Sequence, residues 1–337
     1  MTPTTRKLNQ VRNSFYVYLP RGWCEEYKLT KESEVQIERT LDGSLRISPT
    51  TTDNSDTEPL KLTLTNEQAK DIVNLLVGAY IVGTNKLELT FEDGLDMTTR
   101  GEISKWIRRL PGFEIFDEHS NSFVLSDTSE KQVITPILRQ QFATTKYMLN
   151  GLLHMIESGD IENHTRIIDR DEDVDRHRYF VERLCHMILR DPAYARKIAL
   201  SSPDALSFSL AAKYVERIAD HICAAILELV QLKTTSPKMK KIAGDIIYVF
   251  EDTRTAFFSI DTTKRKGKKL DIAESSENAL KTLNKATLLA EALQKEGSSR
   301  REKTTHEIVL FLHLERITSY CADIVEVGIN RIIASGL

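Results

Sequence analysis

Two pairs of acids carry the chemistry that this sequence offers. Asp171 and Asp175 stand one helical turn apart in Ile167-Ile168-Asp169-Arg170-Asp171-Glu172-Asp173-Val174-Asp175. Glu216 and Asp220 repeat the spacing in Tyr214-Val215-Glu216-Arg217-Ile218-Ala219-Asp220-His221-Ile222. Like charges at i,i+4 weaken an isolated helix by roughly 0.2–0.5 kcal/mol, so each pair needs an offset. At about 100° per residue, Asp171 and Asp175 flank an apolar stripe through Ile167, Val174, Val181, Cys185 and Ile188. Glu216 and Asp220 flank a second stripe through Phe208, Ala211, Val215, Ile218, Ile222, Ile226 and Leu229, while His221 faces away. Asp169 and Asp173 share the spacing but point to the opposite side.

Flanking pairs on neighbouring helices can converge on one cation. All-carboxylate donors suit hard or borderline ions such as iron, manganese, magnesium or calcium. The same residues also read as solvated helix edges matched by Arg170, Arg176, Arg178 and Arg217. A di-iron carboxylate enzyme expects Glu-x-x-His pairs, and Glu216 is followed three positions later by Ala219. The chain has no GxSxG elbow, no GxxxxGK[ST] loop and no HExxH. No enzyme is expected. Cys24, Cys185, Cys223 and Cys321 show no CxxC spacing and read as free thiols in a reducing cytoplasm.

The elements that position these acids follow from the rest of the chain. With 337 residues, 41% of them apolar, there is room for two or three domains. The net charge of -3 means that nucleic-acid contact needs a local basic patch. The longest uncharged apolar stretch, Ile72 to Asn85, falls short of the roughly 20 residues of a spanning helix, and no signal-peptide run opens the sequence. A cytoplasmic protein without membrane insertion is expected.

Residues 1–49 read as short strands, with alternation over Ser14–Pro20 and Glu34–Glu38 and a hairpin at Asp42-Gly43. A polar linker, 48–58, follows. Residues 59–128 form an α/β segment: a helix from Thr65 to Tyr80, a strand Lys86–Phe91, a short helix from Gly101 to Leu110, and strands Phe113–Asp117 and Ser122–Ser126. Residues 130–334 read as six helices, roughly 130–158, 161–190, 203–232, 237–262, 268–296 and 300–334. Ser202 and Ser236 precede prolines suited to first helical positions, and Ser299 to Glu302 has capping-box spacing. Tyr214-Val215-Glu216-Arg217-Ile218 recurs as His313-Leu314-Glu315-Arg316-Ile317, which divides the helices into repeats of about 130–232 and 237–334. The fold class is multidomain α+β with a C-terminal all-α pair of three-helix bundles.

With its Glu/Asp-x-x-x-Asp motifs in tandem bundles, the helical half resembles the PhoU family of phosphate-signalling regulators. That resemblance implies a metal ion or cluster, iron foremost, held by Asp171, Asp175, Glu216 and Asp220, and contact with phosphate transporter components. The second repeat departs from the pattern: Ser319 replaces the second acid, Tyr320 the histidine, and Glu274 and Glu277 face Asn278 and Lys281. One metal site, in the first repeat, is expected.

The N-terminal segment resembles the AbrB/SpoVT swapped-hairpin fold through Arg6-Lys7-Leu8, Asn13 to Trp23 with its Leu19-Pro20-Arg21-Gly22-Trp23 string, and Asp42 to Ile47. The pairing of the two is familiar from archaeal regulators. A unit of about 50 residues can hardly bury a core alone, which fits a homodimer presenting two copies of Arg6, Lys7, Arg12 and Arg21 to DNA. The leading expectation is a transcriptional regulator of the phosphate response. Its rivals are an accessory inhibitor of the transporter that does not bind DNA, and a metal store or di-metal enzyme. Residues 59–128 offer no legible chemistry and read as a coupling segment.

Overall fold

The computed structural model describes residues 5–39, 43–50, 58–65, 67–129, 133–198, 200–232, 236–265, 267, 270–299 and 303–336. The chain divides into two units, Met1–Glu58 and Pro59–Leu337.

The first unit is built from two hairpins and a short helix. Strands β1 (Asn9–Val11) and β2 (Ser14–Tyr16) pair around a turn that holds Arg12 at φ 54°, a left-handed conformation uncommon for a non-glycine residue. The strand expected over Ser14–Pro20 therefore ends at Tyr16, and α1 (Arg21–Glu26) begins after Pro20. Strands β3 (Val35–Arg39) and β4 (Leu45–Pro49) pair with Ile37 opposite Ile47. Gly43 sits in their turn at φ 82°, as the hairpin signal requires, while Asp42 lies outside the described residues. No described residue of this unit is buried. Phe15, Tyr18, Ile37 and Leu45 are all at least 60% exposed, so the apolar faces of both hairpins lack a covering layer.

The second unit opens with β5 (Leu60–Leu64), α2 (Ile72–Ile81), β6 (Lys86–Phe91), α3 (Met97–Ile107), β7 (Phe113–Glu118) and β8 (Ser122–Asp127). The sheet order is β5-β6-β8-β7, with β5 and β6 parallel and the other neighbours antiparallel. The alternation in β6 buries Leu87, Leu89 and Phe91 completely. Two helix starts differ from expectation. A 3₁₀ turn, Gln68–Asp71, precedes α2, and α3 starts at Met97 because Asp96 accepts the Thr99 N–H at 2.8 Å.

The first helical repeat comprises α4 (Ile134–Ser158), α5 (His164–Ile168), α6 (Asp171–Arg190), α7 (Pro192–Lys197) and α8 (Ser202–Gln231). The second comprises α9 (Pro237–Ala243), α10 (Ile246–Phe257), α11 (Ser259–Arg265), α12 (Ile272–Ser298) and α13 (Thr305–Ala334). Each apolar stripe assigned to α6 and α8 is buried along its length, and one continuous core joins both repeats to the α/β sheet. Where the repeats meet, Phe142, Phe208, Phe250, Phe257 and Phe258 interlock with ring centroids 5.0–6.4 Å apart.

The expected helices 161–190 and 237–262 are each interrupted. The first breaks at Asp169-Arg170, where Arg170 N–H bonds to Ile167 in place of the residue a full turn back. That break turns Asp171, Glu172 and Asp173 into the first turn of a new helix, where the amide dipoles favour negative charge. The second breaks at Gly244-Asp245 and again at Phe258, where the Phe257 carbonyl accepts from the buried Arg331 at 2.8 Å. Two capping assignments are also corrected. Ser201, not Ser202, caps α8, in a reciprocal box with Asp204. Thr304, not Ser299, caps α13, and Ser299 closes α12.

Candidate metal centre

Helices α6 and α8 lie side by side and bring all four predicted acids into one electrostatic cluster. Asp171 is pushed up to about 7 by burial first, then by Asp175, Asp220 and Glu216. Asp175 rises to about 6, mainly through burial, with Arg178 opposing and Glu216 and Asp220 adding to the rise. Asp220 is raised by burial and by Glu216, against Arg217.

The cations divide unevenly over this cluster. Glu216 is nearly buried and sits 3.4 Å from Arg178 Nε, while Lys213 Nζ donates to it at 3.1 Å. Arg217 pairs with Asp220 at 3.2 Å, and Arg170 pairs with Asp173 at 2.7 Å. Of the arginines expected to match the acids, Arg176 makes no ion pair among the described residues. Asp171 has no basic partner among them either, and its buried Oδ1 has no hydrogen-bond partner. Carboxylate oxygens left in this way are donors of the kind a hard cation takes. Among the described residues no three His, Cys, Asp or Glu side chains stand as a preformed metal cage. Arg178 and Lys213 would have to yield Glu216 for all four acids to share an ion.

Reading the sequence missed two members of this neighbourhood. Lys213, three residues before Glu216, was within helical reach of it. Cys223 borders the acids, and burial together with Asp171, Asp220 and Asp175 pushes its thiol up to about 12. Among the described residues the second repeat has no such cluster: Ser319 Oγ donates to Glu315 at 2.7 Å, so that glutamate is satisfied within its own helix.

On the opposite flank of α8, His221 is half-buried against α13. Its Nδ1 lies 3.0 Å from His313 Nδ1, and its ring stacks on Tyr320. Tyr214 stacks on Tyr320 with centroids 5.9 Å apart, and Glu228 meets His306 at 2.7 Å. Each pair lies seven residues further along α8 and seven back along α13, the register of two antiparallel helices sharing one seam. Burial lowers both central histidines, His221 to about 4.

In the first unit, Arg6, Lys7, Arg12 and Arg21 are all exposed. Arg12 occupies the β1–β2 turn, and Arg21 opens α1 and pairs with Glu25 at 2.8 Å.

Fold and site together define a tandem helical-bundle protein with a carboxylate cluster between two helices of its first repeat. Residues 138–228, which run from α4 through α8 and contain all four acids, match the family model of the PhoU domain. The match covers the first helical repeat. No curated protein matches the chain. No helix among the described residues is long and apolar enough to cross a membrane.

Proposed function

We propose that this chain is a transcriptional regulator of the phosphate response: its first unit dimerises and binds DNA, and its helical half relays phosphate status through a bound cation. The observation that supports the reading is the buried, unsatisfied oxygen of Asp171, whose carboxyl feels the charges of Asp175, Asp220 and Glu216. Those four residues would hold the ion, iron foremost among hard or borderline metals, whose charge would offset their mutual repulsion. The first unit, in which no described residue is buried, supports a homodimer. An AbrB/SpoVT-like intertwining of two chains would cover Phe15, Ile37 and Leu45 and carry two sets of Arg6, Lys7, Arg12 and Arg21 on one assembly. Phosphate contacts by these residues would make binding fall steeply with salt. A regulatory rather than catalytic role fits the PhoU match, and contact with phosphate transporter components belongs to the same reading.

Two measurements test it. Metal content by elemental analysis should drop in a Glu216→Ala, Asp220→Ala variant, and unchanged content defeats the cation assignment. Gel shifts on the DNA upstream of the gene should be salt-sensitive and abolished by Arg12→Ala with Arg21→Ala. Absence of any shift would leave a transporter inhibitor in which the first unit serves only to oligomerise.

A further inference from the structure

We propose that His221 of α8 and His313 of α13 form a separate cation site, taking a borderline divalent transition-metal ion such as Zn²⁺ or Cu²⁺ between their Nδ1 atoms. The site joins the two repeats. It depends neither on the carboxylate cluster nor on the regulatory reading, because its donors are nitrogens on a different helix interface.

The geometry is already close to that of coordination. The two Nδ1 atoms are 3.0 Å apart. Two metal–imidazole bonds of about 2.0–2.1 Å, at angles between square and tetrahedral, place their nitrogens about 2.8–3.4 Å apart. Without a cation, one Nδ1–H donates to the other Nδ1. With one, each ring carries its single proton on Nε2 and turns so that both Nδ1 lone pairs face the ion, a change of tautomer and ring angle. The rings are held in place: the imidazoles lie 5.2 Å apart at 43°, and Tyr320 stacks on His221 at 26°. Such preorganisation lowers the entropic cost of binding. Imidazole donors favour zinc and copper over magnesium or calcium. No third His, Cys, Asp or Glu joins the pair among the described residues, so water completes the coordination and the ion exchanges readily.

The repeat explains why there is one such site. Aligning the two copies of the recurring string pairs Tyr214 with His313 and His221 with Tyr320. The pseudo-equivalent of the histidine pair is therefore Tyr214 with Tyr320, where two phenol rings stack. Divergence of the repeats has left nitrogen donors at one end of the seam only.

The test uses the full chain stripped with chelator, titrated with Zn²⁺ by calorimetry and examined with Cu²⁺ by electron paramagnetic resonance. The wild-type copper spectrum should show coupling to two imidazole nitrogens. In the Glu216→Ala, Asp220→Ala background, which takes the carboxylate cluster out of the titration, zinc affinity should fall at least tenfold on adding either His313→Ala or His313→Gln. Zinc binding that survives both His313 substitutions, or a copper spectrum with oxygen donors alone, overturns the proposal. If His313→Ala does not fold, the glutamine variant and the wild-type spectrum decide.

Discussion

Arg183 of α6 donates to the carbonyl of Tyr80 at 2.6 Å and to that of Thr84 at 3.0 Å, binding a bundle helix to the end of α2. It is completely buried, pairs with Asp127, and lies over the rings of Tyr80 and Phe113. Two more arginines bridge the same boundary, Arg109 to Glu172 and Arg190 to the Val82 carbonyl at 2.8 Å. Helix α6 thus carries Asp171 and Asp175 at its start and the α/β segment along its flank. Replacing Arg183 by Met strips Asp127 Oδ2 of its buried cation and the Thr84 carbonyl of its donor, and the expected loss is on the order of 3–5 kcal/mol. Urea unfolding measures it, and a loss below about 1 kcal/mol would refute the anchoring role.

The acid cluster makes stability depend on pH with a definite sign. Asp171 and Asp175 are raised to about 7 and about 6 in the folded chain, so the native state holds protons that the unfolded chain releases near pH 4. Their contribution is full below that point and is lost as pH rises toward 7. Metal-free protein should therefore show this component of stability declining between about pH 4 and pH 7. In Asp171→Asn the decline should be shallower, and added cation should restore stability at pH 7. Thermal melts across that range, in wild type and variant, check it. Equal slopes would show that Asp171 does not titrate as described.

The caps of the long helices give a sharper local test. Ser201→Ala removes the reciprocal box with Asp204 and should cost about 1 kcal/mol. Ser202→Ala, one residue on, should stay within about 0.5 kcal/mol. A larger loss at Ser202 would return the cap to the position adjoining the proline.

The second repeat should not regain a carboxylate site by one substitution. Ser319→Asp restores an acid pair with Glu315, but α12 has no i,i+4 acids to meet it, since Glu274 and Glu277 face Asn278 and Lys281. Elemental analysis of Ser319→Asp should match wild type, and one additional equivalent of metal would contradict the single-site assignment.

Much of this molecule was legible from local pattern. The stripes of α6 and α8 follow from 3.6-residue periodicity, the burial of Leu87, Leu89 and Phe91 from alternation, and the flanking position of the acid pairs from both. These depend on the backbone repeat, which neighbouring residues set among themselves. Helix interruptions were less accessible, because the break at Phe258 accompanies capture of a carbonyl by Arg331, 74 residues away in sequence.

What the sequence determined alone was therefore the elements, their apolar faces, the repeat, and the residue types on each flank. Tertiary structure decided which flanks meet: that Arg178 answers Glu216 across two helices, that Arg183 enters the α/β segment, and that His221 faces His313. Side-chain partners from distant segments depend on the packing register between elements. That register is a property of the whole core, and no single stretch of chain encodes it.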